Sequence, residues 1–96
     1  MRKMSFLLEL KRFLCSNGVI YTIRKYRMAD AIIDIDGVGR CHRIPKGEVF
    51  GVEDLLPYFE WSGFASPEAW WRRVEYFVPN ERDAKYLYRV EVLECE

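Results

Sequence analysis

Two short basic segments carry most of the residue types that bind phosphate or assist catalysis. The first, YTIRKYR at residues 21–27, combines Arg24, Lys25 and Arg27 with the ring of Tyr26. Arginine binds phosphate through two parallel hydrogen bonds and tyrosine stacks on an unpaired base, so this combination suits single-stranded nucleic acid. The alternative interpretation is a strand with one buried face and one solvated face, whose charges need no partner.

The second basic segment, RCHRIPK at residues 40–46, follows a turn signal that contains two glycines. It contributes three fixed positive charges and the only histidine of the chain: Arg40, His42, Arg43 and Lys46. If its strand lies in the same sheet as the first segment, it extends a basic face, and His42 would add charge there on acidification. Cys41 directly precedes His42, and adjacent strand residues point to opposite faces, so no shared metal site is predicted.

Motifs for cofactor, metal or covalent chemistry are missing from the sequence. The GVG at residues 37–39 is too short for a dinucleotide fingerprint, and no phosphate-binding loop of the GxxxxGK[ST] type occurs. The cysteines, Cys15, Cys41 and Cys95, are odd in number and widely spaced, which indicates neither a disulfide framework nor a zinc knuckle. We therefore predict no cofactor, no metal and no catalytic residue, and we expect a reducing, cytoplasmic location.

The formal charge is zero overall but is divided unequally along the chain. Residues 1–46 carry ten Lys and Arg against four Asp and Glu, a net of +6, whereas residues 47–96 carry five against eleven, a net of −6. One interpretation is that the two halves pack together and neutralise each other. The alternatives are a basic face suited to phosphate, or a homodimer in which oppositely charged halves pair between copies.

Hydrophobic periodicity predicts a helix followed by three strands. Apolar residues recur at three- and four-residue spacing over residues 4–17, which is typical of an amphipathic helix. Residues 19–28 and 29–36 are rich in β-branched and aromatic residues and predict two strands. Residues 40–44 predict a third, antiparallel strand that Pro45 breaks or bulges.

The second half of the chain predicts two short helices and a last strand. Residues 52–59 form a short helical segment, and Ser66 and Pro67 provide the cap and first turn of the next helix. Three apolar residues on one face of that helix are predicted to lie in the core: Trp70, Val74 and Phe77. Residues 85–93 alternate in polarity and predict a strand with one solvated face. No run approaches the roughly 20 apolar residues needed to span a bilayer, so no membrane partner is expected.

These elements predict an α+β fold in a single domain over residues 1–96. A chain of 96 residues is long enough for one compact core and too short for two. A helix, several antiparallel strands, two short helices and a last strand suit a small, partly closed barrel. The expected architecture is a mostly antiparallel β-barrel with an N-terminal helix and two short helices before the last strand.

Three segments of the sequence resemble the ASCH family, whose members have a PUA-like β-barrel. These segments are NGVIYTIR at residues 17–24, SGFASPEAW at residues 62–70 and YLYRVEVL at residues 86–93. With the order of elements, the likeness covers most of the chain. The resemblance implies nucleic-acid binding, chiefly of RNA, in a basic cleft between the barrel and its helices.

The resemblance also implies roles for individual residues. ASCH domains commonly show a G-x-K-x-x-T-x-R pattern, and Gly18, Thr22 and Arg24 match its Gly, Thr and Arg, while the gap after Gly18 is shorter and the lysine has no counterpart. In related amidohydrolases that act on modified cytidine, this lysine, the threonine and a later glutamate carry the chemistry. Ser62 stands near the position of that glutamate, so the resemblance favours binding over catalysis.

The sequence thus predicts an RNA-binding module, with DNA as an alternative ligand. The candidate binding residues are Thr22, Arg24, Lys25, Tyr26, Arg27, Arg40, His42, Arg43, Lys46 and Ser62. One alternative is an ASCH-type hydrolase of modified nucleosides or a ribonuclease, in which Thr22 positions the substrate and Arg24 or His42 assists. Another is a protein-interaction module that forms a homodimer.

Overall fold

Four antiparallel strands form one sheet in the computed structural model, which describes residues 4–96. The strands are β1 (Val19–Arg24), β2 (Ala31–Ile35), β3 (Gly39–Val49) and β4 (Lys85–Cys95), in the spatial order β1-β4-β3-β2. β1 and β2 lie at the two edges and pair with one neighbour each, so the sheet is open. The predicted α+β fold with a mostly antiparallel sheet is confirmed, whereas the described strands do not close into a barrel.

Two α-helices and two short turns complete the described structure. They are α1 (Leu8–Asn17), two 3₁₀ turns (Val52–Leu55 and Phe59–Trp61) and α2 (Pro67–Phe77). α1 ends at Gly18, whose N–H donates to the Leu14 carbonyl at 2.8 Å. α2 begins as predicted, because the Ser66 hydroxyl accepts a hydrogen bond from the Ala69 N–H at 3.1 Å. Within residues 4–96, no helix combines the length and the hydropathy needed to cross a membrane.

Residues 4–7 are not helical and Leu7 is extended, so the helix begins later than the predicted residue 4. This segment contacts both edge strands of the sheet. The Met4 N–H donates to the Asp34 carbonyl of β2 at 3.3 Å, and the Ser5 carbonyl accepts a hydrogen bond from Arg24 of β1 at 2.7 Å. Residues 4–7 therefore link the two open edges, and the Met4 side chain is buried in the core.

β1 and β2 are both shorter than predicted, because residues 25–30 form a loop between them. The loop is fixed on the central strand β4 by one phenol group. The Tyr88 hydroxyl donates to the Tyr26 carbonyl at 2.8 Å and accepts a hydrogen bond from the Met28 N–H at 2.6 Å. Tyr88 is only 1% exposed, so both hydrogen bonds lie away from solvent and hold the loop in one position.

β3 continues through Pro45, where the sequence predicted a break or a bulge, and extends to Val49. β2 pairs with β3 only as far as Arg43, so the proline backbone faces no strand on that side and needs no N–H donor. The pairing with β4 shifts register between Pro45 and Gly47. The proline is thus accommodated at an edge position beside a bulge.

Two hydrophobic clusters cover opposite faces of the sheet. The first lies under α1 and includes Leu14, Ile20, Ile33, Cys41 and Val90. The second lies under α2 and the 3₁₀ turns and includes Val49, Leu55, Trp70, Val74 and Leu87. Leu87 and Tyr88 are adjacent and are exposed by only 2% and 1%, so β4 is buried on both faces over this part. The predicted solvated face of β4 is therefore restricted to its later residues.

The oppositely charged halves of the chain meet inside one sheet, since β4 of the acidic half lies between β1 and β3 of the basic half. Within residues 4–96, two ion pairs and one imidazole–carboxylate contact join the halves: Lys25 to Asp83 at 3.4 Å, Arg40 to Glu94 at 3.8 Å and His42 to Glu91 at 3.6 Å. This arrangement favours neutralisation within one chain as the reason for the charge division.

Candidate nucleic-acid interface

A groove runs beside the outer edge of β1, between the N-terminal segment and α2. It encloses about 760 Å³ and takes its lining from residues 4–7, Leu10, residues 22–26, Met28, Phe64, α2 and Val78. Among the described residues, its lining includes three cationic side chains, those of Arg24, Lys25 and Arg73, and no carboxylate. The remaining lining is mainly aromatic and aliphatic, so the groove combines positive charge with flat apolar surface.

Arg24 is the most constrained cation of this groove. Its Nε donates to the Thr22 hydroxyl at 3.3 Å and its Nη2 donates to the Ser5 carbonyl at 2.7 Å. Its guanidinium lies 4.7 Å from the centre of the Phe6 ring, a cation–π distance. Thr22 is itself only 7% exposed, so it acts here as a support for the arginine.

The charge of Arg24 is not compensated by any carboxylate among the described residues. Burial, and then the positive charge of Arg43, lower the pKa of Arg24 to about 10. The guanidinium remains protonated at neutral pH, and its Nη1 has no hydrogen-bond partner within residues 4–96. A half-buried cation with a free donor is suited to an external anion such as a phosphate.

Lys25 and Tyr26 extend the groove along the loop that follows β1. The Lys25 ammonium pairs with the Asp83 carboxylate at 3.4 Å and lies 5.8 Å from the centre of the Tyr26 ring. Asp83 therefore partly neutralises the charge of Lys25, whereas no described carboxylate neutralises that of Arg24. The Tyr26 ring is 69% exposed while its backbone is held by Tyr88, so a base can stack on it without reordering the loop.

The α2 side of the groove contributes residues that the sequence did not identify. Arg73 and Phe77 line it from the helix, and Phe64 lines it from the preceding segment. Phe77 was predicted to lie in the core but is 59% exposed. Their spacing in the sequence could have indicated this position. Arg73 and Phe77 follow Trp70 by three and seven residues and therefore lie on the same side of the helix.

Arg27 and Lys46 lie outside this groove. Arg27 lines a second hollow of about 510 Å³, formed with Pro45, Tyr86 and other residues beneath the loop after β1. Lys46 is exposed beside that hollow, between Pro45 and the register shift. Arg40 is exposed near the opposite edge of the sheet, where it pairs with Glu94.

Arg43 and Ser62 are buried and hold the fold together. Arg43, which is 4% exposed, donates from Nε and Nη2 to the Ala29 carbonyl at 3.1 and 3.0 Å. The Ser62 hydroxyl donates to the Phe59 carbonyl at 2.6 Å and accepts a hydrogen bond from the Phe64 N–H at 3.1 Å. Arg43 Nη1 also donates to the Met28 sulfur at 3.4 Å, so both side chains are held by contacts in the protein interior.

His42 lies between two carboxylates, on the face opposite to the buried Cys41. Its Nε2 is 2.6 Å from an Asp30 oxygen and its Nδ1 is 3.6 Å from a Glu91 oxygen. β3 and β1 lie on either side of β4, so His42 and the groove are separated by roughly 10 Å of sheet. His42 therefore does not join the groove, and the two predicted basic segments approach each other only at the second hollow, through Arg27 and Pro45.

Of the ten candidate residues, the structure brings four to one groove: Thr22, Arg24, Lys25 and Tyr26. The described residues include no group of three or more His, Cys, Asp and Glu side chains placed to hold a metal ion. No protein-family model, curated protein or solved structure matches the chain.

Proposed function

We propose that this chain binds single-stranded RNA in the groove beside β1. One observation carries the proposal: three cations and several aromatic rings line the groove, and no described lining residue is acidic. Phosphate binding requires positive charge, and sequence-tolerant binding of single strands requires flat rings on which bases stack. The groove supplies both in one place.

The surroundings of the lining side chains indicate which of them bind phosphates and which stack on bases. Arg24 is fixed by two hydrogen bonds and Arg73 projects from the facing helix, so these two guanidinium groups receive phosphate oxygens. Tyr26 and Phe77 lie exposed at the groove mouth and receive the bases. RNA is the proposed ligand, and single-stranded DNA competes to the extent that the 2′-hydroxyl is not contacted.

An ASCH-type, PUA-like architecture forms part of this proposal. Its support is the link that residues 4–7 make between the two edge strands, through Met4 on β2 and Ser5 on β1. A segment in this position partly fills the opening between the edges of a curved sheet. The proposed cleft between sheet and helices corresponds to the groove beside β1.

The hydrolase alternative lacks a general base in this groove. Neither a carboxylate nor an imidazole is found among its described lining residues, and the Thr22 hydroxyl is engaged by Arg24. The homodimer alternative draws no specific support from the charges, since the two halves already pair within one chain. Binding without turnover is therefore the function that the groove favours.

The test is a titration of the purified chain into a labelled single-stranded RNA of 12 nucleotides, followed by fluorescence anisotropy at several salt concentrations. We expect saturable binding whose log affinity falls linearly with log salt. Duplex RNA and single-stranded DNA of the same sequence serve as competitors, and the RNA is analysed for cleavage afterwards. Salt-independent binding, or cleavage of the RNA, would contradict the proposal, and association of the chain without RNA would support the homodimer.

Tyr26→Ala is expected to weaken RNA binding by about 5- to 10-fold while leaving the salt slope unchanged, because stacking releases no counterions. The matched control is Phe50→Ala, which removes an exposed ring outside the groove lining. Both variants are measured in the anisotropy titration. Equal losses in the two variants would show that Tyr26 has no special role.

His42→Gln is expected to leave RNA affinity unchanged within about twofold at both neutral and mildly acidic pH. The reason is its position, since His42 lies between Asp30 and Glu91 and away from the groove. The measurement is the same titration at pH 6 and pH 7.5. A weaker response to acidification in the variant would instead place His42 in the binding surface, as the sequence predicted.

A further inference from the structure

The three cysteines, far apart in the sequence, converge on the hairpin between β2 and β3. The Cys15 thiol of α1 lies 4.0 Å from the Gly37 carbonyl oxygen, and the Cys41 thiol of β3 lies 3.7 Å from the Gly39 carbonyl oxygen. Gly39 is in turn the register partner of Cys95 on β4. Helix, hairpin and last strand thus bring all three thiols to one end of the sheet.

A register shift turns Cys95 towards the α1 side. β4 pairs Val92 with Cys41 and Cys95 with Gly39, so four residues of β4 oppose three of β3. Opposed residues in antiparallel strands point to the same face, and Gly39 and Cys41 share a face because they are two residues apart. Cys95 therefore points to the face that α1 covers, where Cys15 and Cys41 also lie.

The three thiols differ in accessibility. Cys15 and Cys95 are exposed, whereas Cys41 is buried. Burial raises the pKa of Cys41 to about 11, and Cys15, Cys95 and Asp34 act in the same direction. Because Cys41 is buried and the thiolate is the reactive form, its thiol is protected from oxidants.

We propose that Cys15 and Cys95 are a redox pair that a peroxide converts into an intramolecular disulfide joining α1 to the end of β4. One of the two thiolates attacks an oxygen of hydrogen peroxide, breaks the O–O bond and becomes a sulfenic acid, while the other oxygen leaves as water after protonation. The second thiolate attacks the sulfenic sulfur and expels its oxygen as a second water. Two thiols and one peroxide give one disulfide and two waters, and a dithiol reductant reverses the reaction.

This site is independent of the proposed RNA-binding groove, which none of the cysteines lines. A bond between Cys15 and Cys95 would close a loop of most of the chain and would fix α1 against the sheet. Transient disulfides of this kind form in response to oxidants even where thiols are normally kept reduced. The pair therefore makes the attachment of α1 sensitive to peroxide.

The experiment treats the full chain with hydrogen peroxide, blocks the remaining thiols with N-ethylmaleimide and measures the intact mass. We expect a monomer that has lost two hydrogens and carries one maleimide, on Cys41 after unfolding. Peptide mapping without reductant should show Cys15 bonded to Cys95. The midpoint of thermal unfolding should rise by roughly 10 °C or more on oxidation and return with dithiothreitol.

Single variants distinguish this pair from the other combinations. Cys15→Ser and Cys95→Ser should each abolish both the disulfide and the thermal shift, and Cys41→Ser should preserve them. A bond that includes Cys41, disulfide-linked dimers, or over-oxidised thiols without a disulfide would each overturn the proposal. Because Cys15 and Cys95 are exposed, their serine variants are expected to fold like the parent.

Discussion

Replacing Arg24 with Gln is expected to weaken single-stranded RNA binding by roughly 10- to 100-fold, the effect of losing a charge-assisted hydrogen bond to phosphate. Arg24 has a free donor and no carboxylate partner among the described residues, and two hydrogen bonds hold it in the groove. Lys25 shares its charge with Asp83, so Lys25→Gln should have a smaller effect. The measurement is the anisotropy titration at low salt.

The salt dependence of RNA affinity shows whether the affinity lost in Arg24→Gln comes from a phosphate contact. If Arg24 contacts a phosphate, the slope of log affinity against log salt should fall in magnitude by about 0.7 in Arg24→Gln, as for one single-strand contact. Arg24→Lys should retain most of the slope, because it keeps the charge, while losing affinity through the missing guanidinium fork. A loss of affinity with an intact slope in Arg24→Gln would show that no phosphate is contacted there.

Two controls separate binding from folding. Arg72→Gln removes a neighbouring positive charge from an exposed position of α2 that does not line the groove, so affinity and slope should change little. Thermal unfolding of Arg24→Gln measures the cost of its hydrogen bonds to Thr22 and Ser5. If Arg72→Gln weakened binding as much as Arg24→Gln, the groove would have no special role.

Gly39→Ala is expected to destabilise the fold by about 3 kcal/mol or more. Gly39 has a φ of 124°, a backbone conformation that residues other than glycine rarely adopt. In addition, an added Cβ would lie 2.1 Å from the Glu94 carbonyl oxygen. The backbone of β4 would have to move away, which would disturb the end of the β3 and β4 pairing. The measurement is urea unfolding followed by tryptophan fluorescence.

The matched control lies in the same hairpin. Gly37 has a φ of 84°, but an added Cβ would meet no atom within 4 Å. Gly37→Ala should therefore cost only the backbone strain, about 1 kcal/mol. Similar losses in both variants would mean that backbone strain alone explains the glycines and that the close approach to β4 is unimportant.

Local signals in the sequence predicted the helices and strands well where chain neighbours determine them. The Ser66 cap and Pro67 start of α2 are such a case, since both act within a single helical turn. The bulge after Pro45 was predicted, whereas the continuation of β3 to Val49 was not predictable locally. It depends on β2 beginning only at Ala31, opposite Arg43, so that no strand on that side needs the missing N–H, and only the tertiary pairing shows this.

The candidate site was only partly predictable from the sequence, because tertiary structure decides which basic side chains are accessible. Arg24 and Arg43 are the same residue type in similar basic strand segments, yet the first lines an open groove and the second binds the Ala29 carbonyl in the interior. Which arginine is available depends on strand order and on how the loop after β1 crosses the sheet. Arg73 was missed because α2 joins the groove only through tertiary packing.

The position of β4 has a consequence for the order in which the chain folds. β4 follows the other described strands in the sequence but lies between β1 and β3 in the sheet, where it supplies the partners of both. The hairpin of β2 and β3 is local and can form as soon as it is synthesised, whereas β1 has no strand partner until β4 emerges from the ribosome. Sheet formation thus waits on contacts between distant parts of the chain, which slows folding and leaves β1 exposed to chaperones during synthesis.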